Sequence, residues 1–260
     1  MRQNRLARKL ERGESTVGMW VTVESATVTE IAVALELDWV VIDMEHGHLD
    51  YRDVMDHLRA LRGTDTVALV RVPAIEATPI KRVLDMGAHG LILPLVRSSQ
   101  DVERAFLHGR YPPRGQRGIG GERCMQWGMT LTEYLQVADD ETLLIPLIET
   151  RDAAENIDEI LSVPDLKAIF FGPNDLSATC GHVGQWEGPG VADLILEIRA
   201  KAEAKGIAAG VMGTSVENSI QRRDQGFHMV GLGADMNLMI RALRENLAAL
   251  GRDRRPNGIL

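Results

Sequence analysis

Aromatic side chains are scarce in this chain: four Trp, three Tyr and four Phe make up 4% of its 260 residues. A surface that stacks nucleic-acid bases needs such rings, and a net charge of −8 argues further against nucleic acid as a partner. Cysteine is scarcer still. Cys124 and Cys180 show no CxxC or CxxH spacing, which fits a reducing cytoplasm and no structural zinc. No apolar run reaches the roughly 18 residues of a membrane span. The opening MRQNRLARKLERGES is charged, helical in character and followed by no apolar h-region, so it does not read as a secretory signal. Lysine is also rare: Lys9, Lys81, Lys167, Lys201 and Lys205 are five of 29 basic residues.

What is present is a regular alternation. Near-continuous apolar runs at 17–23, 39–44, 67–72, 90–96, 143–149, 166–172, 207–212 and 228–233 read as strands covered on both faces. Amphipathic stretches at 26–36, 51–62, 77–86, 99–108, 151–161, 190–205, 215–225 and 235–250 lie between and after them, with polar starts and glycine stops. Eight strands alternating with eight helices imply a parallel sheet closed into a single-domain α/β (β/α)8 TIM barrel spanning 1–260, with a short polar tail from about 251. One connection is long: 109–129, with six glycines and two prolines, has no periodicity and reads as a functional or mobile loop.

Catalytic groups of a barrel gather at the C-terminal ends of its strands. The second strand delivers Asp43, Glu45 and His46, the third Arg71, the fifth Glu149 and the sixth GPNDLS (172–177) with Asp175. Strands 1 and 7 end near Trp20 and Met212. Glu149 and Asp175 end neighbouring strands, so two carboxylates face one spot. Such a pair either shares a hard divalent ion such as Mg²⁺ or Mn²⁺, or each carboxylate pairs with an arginine. No lysine falls at a strand end on this face, which argues against a Schiff base. Carbonyl chemistry here would instead need metal polarisation.

DxEH at 43–46, VRVP at 70–73, RYPPRGQRG at 110–118, IET at 148–150 and GPNDLS at 172–177 resemble the HpcH/HpaI family of metal-dependent aldolases, in order and across nearly the whole chain. The resemblance implies a class II aldolase that reversibly cleaves a 4-hydroxy-2-oxo acid to pyruvate, or a hydroxypyruvate-like donor, and an aldehyde. It implies Glu149 and Asp175 as ligands of Mg²⁺, Mn²⁺ or Co²⁺, with no nucleotide cofactor. Backbone N–H groups around Gly172–Asp175, those of Asn174 and Asp175 among them, would cradle the substrate carboxylate, and Gly172 and Pro173 would allow its close approach. Arg71 would stabilise the enolate oxygen and His46 would move the proton of the aldehyde-derived hydroxyl.

The family partners this histidine with an aspartate, here Asp85 in VLDMGAHG. Asp85 closes a helix that runs antiparallel to the strands, so it lies at the opposite end of its own barrel from His46. Either it reaches His46 of a neighbouring subunit in a homo-oligomer, a hexamer by family habit, or it is a helix-end residue. Leu147 stands where several relatives have glutamine, so the donor pocket would be less polar. Arg114 and Arg117 in the long loop are candidate contacts for an aldehyde carboxylate. Two rival readings share the fold: a lyase or condensing enzyme on acyl-CoA or citrate-type substrates, and an isomerase that binds phosphate at the glycines after strands 7 and 8.

Overall fold

The computed structural model describes residues 3–252. Eight parallel strands close a barrel in sequence order: β1 (Thr16–Val21), β2 (Trp39–Asp43), β3 (Val67–Arg71), β4 (Gly90–Leu93), β5 (Leu143–Ile148), β6 (Ala168–Phe171), β7 (Ala208–Met212) and β8 (Met229–Ala234). Around and before them lie α1 (Arg5–Glu11), α2 (Thr27–Ala34), α3 (Tyr51–Ala60), α4 (Ala77–Met86), α5 (Ser99–Gly109), α6 (Leu131–Glu141), α7 (Arg151–Glu155), α8 (Ile157–Ile160), α9 (Pro173–Thr179), α10 (Val191–Ala204), α11 (Val216–Asp224) and α12 (Asp235–Ala249). The expected TIM barrel is what forms. Most of the expected tail from about 251 lies outside the described residues.

Every residue of β2, β3, β4, β5 and β6 is buried, as the unbroken apolar runs require. Alternate side chains point outward into a ring of aliphatics beneath the helices, and inward to a second cluster that fills the barrel. Large rings plug that interior: Trp20 lies 5.0 Å from Phe170 and 6.0 Å from Trp39, centroid to centroid. Glycines make the room. A Cβ on Gly18 would lie 2.1 Å from the Trp39 ring, and one on Gly210 would lie 2.3 Å from Phe170.

Several boundaries differ from the sequence reading. The strands are mostly shorter, because the chain turns as soon as its ladder partners end; β4 stops at Leu93 rather than 96. The stretch 151–161 is two short helices broken at Asn156, whose side-chain amide donates to the Arg97 carbonyl. α9 starts inside GPNDLS with Pro173 in its first turn, where a missing N–H costs nothing. α6 is a helix that apolar periodicity does not announce. Its Tyr134 and Ala138 pack with Tyr111 and Met125 in a small satellite core.

That satellite core corrects the expectation for the long loop. Arg114 pairs with Asp140 at 2.7 Å and Asp165 at 2.9 Å, residues that precede β5 and β6 at the N-terminal face of the barrel. The Arg117 side chain is wholly buried, with its guanidinium carbon 4.6 Å from the Tyr111 ring centroid and Nη2 2.7 Å from Asp85 Oδ1. Neither arginine lies at the mouth of its own barrel. The loop folds back because buried aromatic surface and a charge partner are available there and not above the strands.

α12 is held to the barrel by its first residue and by Leu238, which packs against the outer core. Buried Asp235 accepts hydrogen bonds from the Thr22 N–H at 2.8 Å, the Thr22 hydroxyl at 2.6 Å and the Val23 N–H at 3.1 Å, tying the end of β1 to the helix that follows β8. Farther along, Met239, Leu243 and Leu250 are exposed. No helix among the described residues is long and apolar enough to cross a membrane.

Candidate active site

A cavity of about 850 Å³ opens at the C-terminal ends of the strands. It is lined by Trp20, His46, Arg71, Leu147, Glu149, Gly172, Pro173, Asn174, Asp175 and Met212, so the expected site residues meet there except Asp85 and the loop arginines Arg114 and Arg117. Asp85 lies at the last turn of α4 and engages Arg117, at the other end of the barrel. No lysine lines the cavity.

The site is built on a cross-strand pair. Asp43 and Arg71 end β2 and β3 and stand in register opposite one another. Arg71 Nε donates to Asp43 Oδ1 at 2.9 Å while Nη2 donates to Oδ2, a forked geometry that fixes the plane of the guanidinium. Nη1 also lies 2.6 Å from Glu45 Oε2, an ion pair outside hydrogen-bond alignment. Burial alone would favour neutral arginine, but Asp43 and Glu45 raise its pKa and hold it charged.

Asp43 has a second task. Its Oδ1 accepts the N–H of Glu45 at 3.0 Å and of His46 at 3.3 Å, closing a turn that presents the histidine. The His46 side chain is 70% exposed, with Nε2 4.0 Å from Glu45 Oε2, so it is free to meet a ligand. Asp43 and Glu45 are therefore site residues to which strand-end reading assigns no role. The available signal is a charge ending an otherwise apolar strand, which must be paired.

Glu149 is only 2% exposed. Its Oε1 accepts the Leu95 N–H at 2.7 Å, and Leu95 reaches that position with a φ of 52°, a left-handed conformation uncommon for leucine. Gly172 leaves the remaining oxygen uncovered, since a Cβ there would lie 2.9 Å from Oε2. Burial pushes the Glu149 carboxyl up to about 7 against the pull of the Leu95 N–H, and Glu45 and Asp175 add to the rise.

Neither Glu149 nor Asp175 makes an ion pair among the described residues, because the nearby Arg71 is taken by Asp43 and Glu45. The arginine-paired alternative for these two carboxylates is thereby set aside. No group of three or more His, Cys, Asp or Glu is placed to cage a metal among the described residues. Two free carboxylate oxygens at an open cavity nevertheless fit a hard divalent ion that takes its other ligands from water and substrate. The uncovered Glu149 Oε2 and the unfilled space at Gly172 are the features that match it.

Residues 16–242 match the HpcH/HpaI aldolase/citrate lyase family. The chain is 34% identical over 251 residues to a hydroxypyruvate/pyruvate aldolase of Paraburkholderia phytofirmans, covering 94% of this chain and 96% of that protein. It is 32% identical over 251 residues to a 2-dehydro-3,6-dideoxy-6-sulfogluconate aldolase of Pseudomonas putida, covering 96% and 98%. Among solved structures, an HpcH/HpaI aldolase/citrate lyase family protein from Burkholderia cenocepacia superposes with a TM-score of 0.91 at 31% identity, covering 95% of this chain and 99% of that one. The barrel, its paired strand-end charges and these similarities converge: the chain belongs to the HpcH/HpaI aldolase/citrate lyase family and is a carbon–carbon lyase.

Proposed function

We propose that this chain is a cytoplasmic, divalent-metal-dependent class II aldolase. It reversibly cleaves a 4-hydroxy-2-oxo acid to pyruvate, or a hydroxypyruvate-like donor, and an aldehyde. The observation that carries this reading is the segregation of charge in one cavity. Arg71 is neutralised by Asp43 and Glu45, whereas Glu149 and Asp175 are left without a protein cation.

Glu149 and Asp175 would hold Mg²⁺, Mn²⁺ or Co²⁺, which when bound supplies Lewis-acid polarisation of the 2-oxo group. Gly172, Asn174 and Asp175, around the first turn of α9, line the cavity and would offer backbone N–H donors to the substrate carboxylate. His46 takes the proton of the C4 hydroxyl as the C3–C4 bond breaks and the aldehyde forms. The electron pair left on C3 delocalises to the 2-oxo oxygen, where Arg71 stabilises the developing negative charge. Protonation at C3 then gives the 2-oxo acid. Trp20 and Leu147 wall the donor side and exclude water.

His46 is exposed, and among the described residues Glu45 is the carboxylate it pairs with. In the proposed assembly, a homo-oligomer of hexamer type, Asp85 of a neighbouring subunit orients it.

Donor activation can be tested without knowing the aldehyde. Chelator-treated protein is incubated with pyruvate or hydroxypyruvate in D₂O, and exchange at C3 is followed by NMR with and without Mn²⁺ or Mg²⁺. Metal-dependent exchange that disappears in Glu149→Ala is expected. Absence of exchange with both donors would overturn the reading and favour an acyl-CoA or citrate-type substrate.

A further inference from the structure

Two residues beyond the end of β4, Leu95 holds a left-handed backbone with a φ of 52°. An L-residue keeps such a conformation where the surrounding structure enforces it. Its own side chain does not, being 55% exposed. What the conformation provides is the place of the Leu95 N–H, 2.7 Å from Oε1 of Glu149. The strain must therefore be offset by bonds to the chain that follows.

That chain is tied at successive residues. The Thr150 hydroxyl donates to the carbonyl of buried Val96 at 2.8 Å, and accepts the Ala153 N–H at 3.0 Å, which fixes its direction. The Asn156 side-chain amide donates to the Arg97 carbonyl at 3.1 Å. From the other side, Asp101 Oδ2 accepts the N–H of Arg97 at 2.9 Å and of Ser98 at 3.2 Å. Thr150 directly follows Glu149, and Asn156 sits at the break between α7 and α8. The segment after β5 thus grips the segment after β4, above two strands that are paired neighbours. Neither Thr150 nor Asn156 is among the residues that line the cavity.

Resting on the assignment of Glu149 to the metal in the aldolase reading above, we propose that Thr150 and Asn156 are positioning residues for that carboxylate. They hold residues 95–97, the hold keeps Leu95 left-handed, and the Leu95 N–H occupies Oε1 of Glu149. Oε2 is then the oxygen left free beside Gly172. Groups that orient a metal-binding carboxylate in this way change metal affinity by about 10- to 100-fold.

Thr150→Val removes the hydroxyl with the side-chain shape nearly kept. Leu95 should relax, its N–H should leave Glu149, and Mn²⁺ affinity, followed by calorimetry, should weaken about ten-fold or more. Thr150→Ser keeps the hydroxyl and should bind Mn²⁺ as the wild type does. Glycine adopts the left-handed conformation without strain. Adding Leu95→Gly to Thr150→Val should therefore restore most of the lost affinity, which a general loosening of the fold would not allow. If Thr150→Val fails to fold, Asn156→Ala, at an exposed position, carries the same comparison with and without Leu95→Gly. Wild-type Mn²⁺ affinity in both Thr150→Val and Asn156→Ala, or a loss that Leu95→Gly does not repair, would overturn the inference. A wild type that binds no Mn²⁺, or binds it no better than Glu149→Ala, would count against the metal assignment alone. Amide hydrogen exchange at position 95 in the metal-free protein then decides the brace. Protection lost in Thr150→Val and regained with Leu95→Gly supports it, and unchanged protection overturns it.

Discussion

Arg71 is forked onto Asp43 across adjacent strands, Nε to Oδ1 at 2.9 Å, while that same oxygen holds the backbone turn that carries His46. One carboxylate therefore sets both the orientation of the cation and the position of the exposed imidazole. Arg71→Lys cannot reproduce the fork, and kcat for cleavage should fall by about 10²-fold, on the scale of removing one oxyanion donor. Asp43→Ala leaves buried Arg71 short of a partner and should cost about 3 kcal/mol in urea denaturation. Retention of wild-type stability by Asp43→Ala would show that Glu45 alone compensates the guanidinium.

Proton and dication should compete at Glu149. Its carboxyl titrates at about 7 in the folded, metal-free chain, so below that pH a proton must leave before a metal enters. Mn²⁺ affinity, followed by calorimetry, should weaken about ten-fold per pH unit below 7 and level off above it. The same shift acts on folding. Because the folded value lies above the ordinary carboxylate value, Glu149 favours the native metal-free protein below about pH 4.5, and this contribution is lost as pH rises through 7. A pH-independent Mn²⁺ affinity between 5 and 7 would remove Glu149 from the ligand set.

His57 works in the opposite sense. It is fully buried between the Thr29 hydroxyl at 2.7 Å and the Val23 carbonyl at 3.1 Å, and burial lowers its pKa below the ordinary value of 6.5. Its unfolded imidazole therefore takes up a proton first as pH falls. The stability it provides is present above 6.5 and is lost as pH drops through its folded value. Thermal denaturation between pH 7.5 and 5.5 should show this loss, and His57→Gln should flatten it.

If His46 and Asp85 of different subunits share a site, two inactive variants should rescue one another. His46→Ala and Asp85→Ala proteins, mixed under conditions that exchange subunits, place both native residues in a fraction of the sites. Activity should rise to about a quarter of wild type for random mixing of two variants in equal amounts. A mixture as inactive as its components would return Asp85 to a purely structural role with Arg117.

Gly18→Ala and Gly210→Ala would each thrust a methyl group into a ring of the interior plug, at 2.1 and 2.3 Å. Overpacking on this scale costs at least about 1–3 kcal/mol. Reduced denaturation midpoints are expected for both, with a worse effect at Gly18, where the Trp39 carbonyl is also within 2.3 Å.

Most of the barrel is legible in the sequence because most strands are buried on both faces, so their apolar runs are uninterrupted, and a charge marks the end of β2, of β3 and of β5. The same property brings Arg71, Glu149 and Asp175 to one face, since a parallel barrel sends all strand ends the same way. What is not legible is pairing. The sequence leaves open whether Arg71 neutralises Glu149 or Asp43, because that choice depends on which neighbours share a register. The arginines of the long loop mislead for a related reason: nothing local to Arg117 announces that Tyr111, Tyr134 and Asp85 will surround it. The break at Asn156 likewise depends on a carbonyl 59 positions away.

The attachment of α12 through Asp235 separates two kinds of evolutionary freedom. Positions beneath the strand ends are locked by the ring plug and the charge fork, where almost any substitution disturbs folding and chemistry together. Residues on the later turns of α12, beyond Asp235 and Leu238, lie outside that lock and are largely exposed. They can be exchanged at little cost to stability. The barrel thus joins a rigid frame that fixes the charges at the strand ends to a helix whose outer turns are free to vary, with Asp235 and Leu238 as the joint between them.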